Sequence, residues 1–213
     1  MPRKIDYEAR REAFLKAAGR LIRRDGFAGL TVRAVAREAG FTTGALVHYV
    51  DSMDDLLVDA FEFAGRGLRA RMDEAETGPD PLVALREVLY LVLPNSEGQL
   101  GHWMYWLGFR ERSVQSAAVR KITYMRYAGW LKRTQRVIRR AKAAGDIARD
   151  VDVPVAARAA VALIDGLAAQ VLRSSRGPSA REQRALVDDW IRLWPRPTRT
   201  IARPRLSRAG TPA

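Results

Sequence analysis

Small and polar side chains gather at one end of a short predicted helix between Thr31 and Val50, in the run TVRAVAREAGFTTGALVHYV. The run reads as helix, tight turn, helix. Leu46 and Val50 lie one turn apart and take the inner face of the second helix, so Thr43, Gly44, Ala45, Val47 and His48 are predicted to point away from the core. A helix end built this way, braced by the helix before it, can enter a DNA major groove and meet base edges. The competing reading is an ordinary corner in a helical bundle. Basic residues nearby favour the first reading: Arg33 and Arg37 on the exposed face of the bracing helix, and Arg10, Arg11, Lys16, Arg20, Arg23 and Arg24 on the helix before that. Such side chains supply phosphate contacts, which dominate affinity without reading sequence.

Local signals hold this surface in place. Thr31 is a hydroxyl N-cap ahead of an apolar stripe at Val32, Val35, Ala36 and Ala39, and Gly40 ends that helix where positive φ is favoured. Phe41 is placed to plug the corner, and Thr42 or Thr43 caps the next helix. A first helix is predicted from about Tyr7 to Arg24, after a flexible basic lead-in, with Phe14, Ala17, Ala18 and Leu21 on its inner face. Ser52 or Asp51 caps a long helix running to about Glu76, with Asp54 and Asp55 in the first turn, where negative charge suits the dipole.

Downstream, Gly78-Pro79-Asp80-Pro81 breaks the chain and starts a helix that stops at Pro94-Asn95. An aromatic-rich segment, Glu97 to Arg112, follows. Ser113 to Ala144 reads as one helix of roughly 40 Å. Two more helices are predicted, one opening at Val153-Pro154 and one from Ser179 to Trp194. No β alternation is visible. The expected fold is all-α with about nine helices: a three-helix head over residues 8–68, with its helix-turn-helix at 31–50, and a larger helical unit over 69–194. Residues 195–213, with Arg196, Arg199, Arg203, Arg205 and Arg208, are expected to be disordered. Those arginines either keep the end soluble or add DNA affinity.

The 213 residues carry a formal net charge of +13, which points to a polyanionic partner, nucleic acid first and an anionic membrane second. With no cysteine, disulfides and thiolate chemistry are excluded. The two histidines, His48 and His102, fall in different units, and neither a phosphate-cradling glycine loop nor a His/carboxylate metal spacing is present. No enzymatic activity, metal or cofactor is expected. The N-terminus has no apolar signal region, and the most apolar stretch, Val151 to Leu172, is interrupted by Asp152, Arg158 and Asp165. A cytoplasmic protein with no membrane contact is the expectation.

In the larger unit, His102, Trp103, Tyr105, Trp106, Phe109, Tyr124, Tyr127 and Trp130 serve either as core or as the lining of a ligand cavity. Trp103, Trp106, Tyr124 and Met125 are the residues expected beside a pocket for an apolar effector. The helix opening at Val153 is apolar around nearly its whole circumference and must be buried on more than one side. Ala156, Ala160 and Gly166 would allow close helix approach. With Leu163, Leu167, Leu186 and Trp190 they are expected to form a homodimer face around a twofold axis.

The run GFAGLTVRAVAREAGFTTGALVHYVDSMDDLL resembles the DNA-binding domain of TetR-type transcriptional regulators, and AVALIDGLAAQVL at 160–172 is similar to the BetI-like subgroup. The resemblance implies a dimeric, mostly repressive regulator that sets its recognition helices on a palindromic operator and responds to a small-molecule effector. It also implies a phosphate contact from Thr31, groove contacts from Thr42, Thr43, Gly44, Ala45, Val47 and His48, and a backbone contact from Tyr49. Two positions depart from the pattern. Val47 stands where an aromatic is usual, and Met53 where a lysine is usual, so Arg33, Arg37 or the first helix must replace that phosphate anchor. A non-specific architectural DNA-binding protein is the alternative.

Overall fold

A computed structural model describes residues 3–174 and 176–194. The described residues are helical and contain no strand, with nine α-helices and one 3-10 turn. Helix α1 spans Arg3–Asp25, so most of the expected flexible lead-in is helical. The 3-10 turn Phe27–Gly29 leads into α2, Val32–Ala39, and α3, Thr43–Leu46. Next come α4, Met53–Glu76, and α5, Pro81–Tyr90. Then follow α6, Glu97–Arg112, and α7, Ala117–Ala144. The last two are α8, Val153–Arg173, and α9, Ala180–Arg192. The long helix starts later than the sequence suggests, because Ser116 caps it and the preceding residues turn. The tail at 195–213 lies outside the described residues.

The helices build two cores. The first gathers Phe14, Leu21 and Ile22 of α1, Val35 of α2, Leu46 of α3, and Leu56, Ala60 and Phe61 of α4. The second joins Leu85, Val88 and Leu89 of α5 to Val137, Ile138 and Ala141 of α7, Ala157, Ala160 and Ile164 of α8, and Val187 and Ile191 of α9. They are not independent. Helix α4 passes unbroken through residue 68, and α6 sends Tyr105 and Phe109 into the first core.

By length and composition α8 would suit a membrane span, at 21 residues and mean hydropathy 1.6. Here its inner arc, Val153, Ala156, Ala157, Ala160, Val161, Ile164, Leu167 and Ala168, is buried in the second core. These positions recur at the helical period and define one face.

Candidate nucleic-acid interface and ligand cavity

The helix-turn-helix is held by three caps. Thr31 Oγ1 accepts from the Ala34 amide at 3.1 Å, Thr42 Oγ1 from Ala45 at 3.2 Å, and Ser52 Oγ from Asp55 at 3.1 Å. Thr42, not Thr43, is therefore the cap of α3. Between α2 and α3, Gly40 adopts φ 79°, a left-handed turn open to glycine at little cost, while the Phe41 amide reaches back to Ala36 O at 2.9 Å. Phe41 closes the corner against Phe14, ring centroids 5.1 Å apart.

This frame leaves Thr31, Arg33, Thr42, Thr43, Gly44, Val47 and His48 exposed on one side of the molecule, Val47 at 59%. Two predicted contacts change character. Ala45 is half-buried and packs against the first core, since α3 has only one turn and its fourth residue, Leu46, must reach inward. Tyr49 is also half-buried, its ring stacked on Tyr7 at 4.6 Å and tilted against Phe14 at 5.4 Å.

Four of the six basic side chains named on the first helix have carboxylate partners within the chain. Arg11 pairs with Asp59 at 2.6 Å and Lys16 with Glu12 at 2.6 Å. Arg20 and Arg24 converge on Glu38 at 2.7 and 3.1 Å, and these two guanidiniums hold the Glu38 carboxyl below its usual range. Arg33 and Arg37 remain exposed and make no ion pair among the described residues.

Behind the head lies a cavity of about 350 Å³ walled by α4, α6, α7 and α8. Of the expected lining residues, Trp103, Trp106 and Met125 are there, joined by His102, Tyr127 and Trp130 from the wider aromatic set. Trp103 spends its indole N–H on Val92 O at 2.7 Å and acts as wall. Tyr124 is 73% exposed and does not line the cavity. Arg126, Trp130 and Arg133 define the inward stripe of α7, and residue 124 falls on the opposite face. Tyr105 and Phe109 belong to the first core instead.

Six charged residues of the cavity lining, Arg69, Arg126, Lys132, Arg133, Arg136 and Asp165, escaped the sequence reading as site residues. Asp165 lines it from α8 and makes no hydrogen bond among the described residues. Burial pushes its carboxyl upward, partly opposed by the charge of Arg110. A lone carboxylate within an apolar helix was the available signal. Glu62 on α4 receives Arg126 from α7 at 2.6 Å and Arg69 at 3.1 Å. The cations Arg69 and Arg126 both face the cavity, and nothing in the sequence pattern of α4 or α7 sets them apart from solvated arginines.

Two helices connect cavity and head. On α4, Leu56, Leu57 and Ala60 sit in the first core, and Gly65, Leu68 and Met72 line the cavity, with Phe61 in both. On α6, Tyr105 and Phe109 face the head, and His102, Trp103 and Trp106 face the cavity. At the junction, Asp54 in the first turn of α4 accepts from Arg112 at the end of α6 at 3.0 Å. A hydrogen bond from Ser116, and then Arg112, keep the Asp54 carboxyl low.

The predicted dimer residues divide. Ala156, Ala160 and Leu167 are buried within the subunit, on the inner arc of α8, and are not available to a partner. Leu163 is half-buried at the edge of the inner arc, against the second core, and Gly166 lies on the other arc, which also exposes Val155, Ala159 and Ala162. Leu186 is 44% exposed, and Trp190 is half-buried with its ring 4.3 Å from Trp194. The sequence showed that α8 was apolar all round, but not which arc faced its own chain.

Residues 14–60 match the family described as bacterial regulatory proteins, tetR family, and residues 81–194 match the BetI-type transcriptional repressor C-terminal family. The chain belongs to the TetR family. Members of this family are transcriptional regulators and, as a rule, not enzymes. The chain is 32% identical over 110 residues to the HTH-type transcriptional regulator PksA of Bacillus subtilis (strain 168), a match spanning 51% of this chain and about half, 54%, of that protein. It is 28% identical over 195 residues to BetI of Rhizobium meliloti (strain 1021), covering 90% and 92% of the two chains. Among solved structures, a putative transcriptional regulator from Saccharomonospora viridis in complex with choline is 29% identical, with a TM-score of 0.80 over 87% of this chain and 96% of that one. A putative TetR-family regulator from Rhodococcus sp. is 27% identical, with a TM-score of 0.74 over 88% and 98%. The TetR-type match ends within α4, at residue 60, and the BetI-type match begins at residue 81, where α5 starts.

Proposed function

We propose that this chain is a ligand-responsive repressor that acts in the cytoplasm as a homodimer and binds a palindromic operator. Residues 8–68 form the DNA-binding head and 69–194 the effector and dimer unit. The observation that carries this reading is the exposed end of α3 beside Arg33 and Arg37, which are exposed and make no ion pair among the described residues, joined through α4 and α6 to a cavity. Thr31, Arg33 and Arg37 meet phosphates. Thr42, Thr43, Gly44, Val47 and His48 face the groove, with Val47 offering apolar contact such as a thymine methyl accepts. Ala45 seats the helix, and Tyr49 presents its hydroxyl to the backbone while its ring stays packed. Leu163, Gly166, Leu186 and Trp190 meet their twofold copies.

The effector in this reading carries a cationic head of the quaternary ammonium type. Aromatic faces attract such a cation, and Asp165, a carboxylate with no hydrogen bond among the described residues, lines the same cavity from α8. The choline complex of the Saccharomonospora regulator supports the same class. Occupying the cavity pushes on α4 and α6, which moves the two heads out of operator spacing.

Selection of random duplexes by the purified protein, followed by sequencing, tests the reading. A palindrome with half-sites about one helical turn or more apart is expected, and choline at saturation should release it. Binding that fades with salt and enriches no sequence would leave an architectural role instead. Replacing both Arg33 and Arg37 with Gln should weaken every duplex and reduce the slope of log K against log salt by about 2. An unchanged slope would remove them from the interface.

A further inference from the structure

We infer that the cavity reads its ligand at a second point: His102 and Arg69 together bind an oxygen on the part of the effector away from the cationic head. This rests on the cavity being the effector site. His102 stacks on Phe61 with ring centroids 5.5 Å apart and makes no hydrogen bond among the described residues, although it lines the cavity. Its Nδ1 is sealed and has no partner. A buried orphan N–H is rarer and costlier than an orphan lone pair, so the proton of the neutral ring belongs on Nε2, leaving that N–H as the donor for whatever enters. The ring stays neutral because burial and the charge of Arg69 depress its pKa to about 4.

Arg69 supplies the second donor. Its Nη2 is committed to the Glu62 carbonyl at 2.6 Å and the Glu62 carboxylate at 3.1 Å. Its Nη1 lies over Gly65, 2.4 Å from where a Cβ would stand, and His102 Cε1 is 3.7 Å from that same point. The Arg69 Nη1 donor and the Cε1 edge of the His102 ring, next to Nε2, therefore flank one bare glycine, and an oxygen acceptor there would serve both donors. Asp165 sits elsewhere, in the field of Arg110, two turns further along α6 than His102. A hydroxyl or a carboxylate on the ligand fits the His102–Arg69 edge; an alkyl group does not.

Calorimetric titration of the full chain with three probes of similar size tests this: choline, trimethylglycine and propyltrimethylammonium. The oxygen-bearing probes should bind about tenfold tighter than the alkyl one, as one or two hydrogen bonds to charged or buried donors allow. Which of the two binds better identifies the oxygen as hydroxyl or carboxylate. His102→Phe, which keeps an aromatic against Phe61, should bring the ratio close to one. His102→Gln, which restores an amide N–H near the Nε2 position, should recover part of it. The readout is a ratio, which general loosening of the fold leaves alone. Equal binding of all three by the unmutated protein overturns the inference while sparing the cation reading, and so does a ratio that survives His102→Phe. If no probe binds, the cation reading falls and takes this one with it.

Discussion

Gly108→Ala should destabilise the protein by about 1–3 kcal/mol, the usual range for forcing a methyl group into space already filled by a packed side chain. Gly108 lies on α6 where that helix crosses the 3-10 turn of the head. A Cβ there would stand 2.0 Å, 2.1 Å and 2.6 Å from three ring atoms of Phe27. Phe27 cannot simply rotate away, because its ring meets Tyr105 and Phe109 edge-on, each at 6.3 Å. Either Phe27 leaves its slot or α6 lifts from the head. In the second case the cavity keeps its walls but loses one of its two connections to α3. Thermal denaturation measures the first effect, and operator release at saturating effector the second. Gly67→Ala is the control. Gly67 is an exposed glycine in the interior of α4, and a Cβ there meets nothing within 4 Å. Removing a helical glycine should stabilise by about 0.5–1 kcal/mol. Equal melting temperatures for the two variants would show that the crossing at Phe27 is not close-packed.

The second large effect is pH-linked. Burial, then Arg69, depress the pKa of His102 from its ordinary 6.5 to about 4. As pH falls below 6.5 the unfolded chain takes up a proton that the folded chain refuses until about pH 4, so stability declines through that window and is whole above it. The full decline for this one group is up to about 3 kcal/mol. Acid also weakens the protein through Glu38 and Asp54, whose carboxyls are held low by their partners, so the stability they add is lost as pH drops through their folded range. The comparison that isolates His102 is the change in stability between pH 7 and pH 4.5 for the unmutated protein against His102→Phe. The variant should show a clearly shallower decline. Parallel curves would mean that the imidazole takes its proton in the folded state without penalty.

Reading the chain alone recovered the head in detail because its signals are local. A cap, a left-handed glycine and a one-turn apolar spacing are each satisfied within a few residues, so Thr31, Gly40, Thr42, Leu46 and Ser52 occupy the places their types predict. The cavity was only half legible. The aromatic cluster of α6 and α7 announced it, but Tyr124 was included although helical phase turns it outward. Asp165 registered only as an interruption in an apolar stretch. The pairing of the charges on α1 was not legible for a similar reason. Whether an arginine is free for phosphate depends on where Glu38 and Asp59 fall in space, and both come from other helices.

What the sequence by itself determined is the set of helices, most of the surface that α3 exposes and the family to which the chain belongs, because each follows from residue types a few positions apart. The tertiary structure alone decided which arc of α8 is buried, which cations are already neutralised, and that α4 and α6 serve both cores. These depend on pairings such as Arg11 with Asp59, 48 residues apart, and Arg126 with Glu62, 64 residues apart, and no periodicity within one helix encodes its partner.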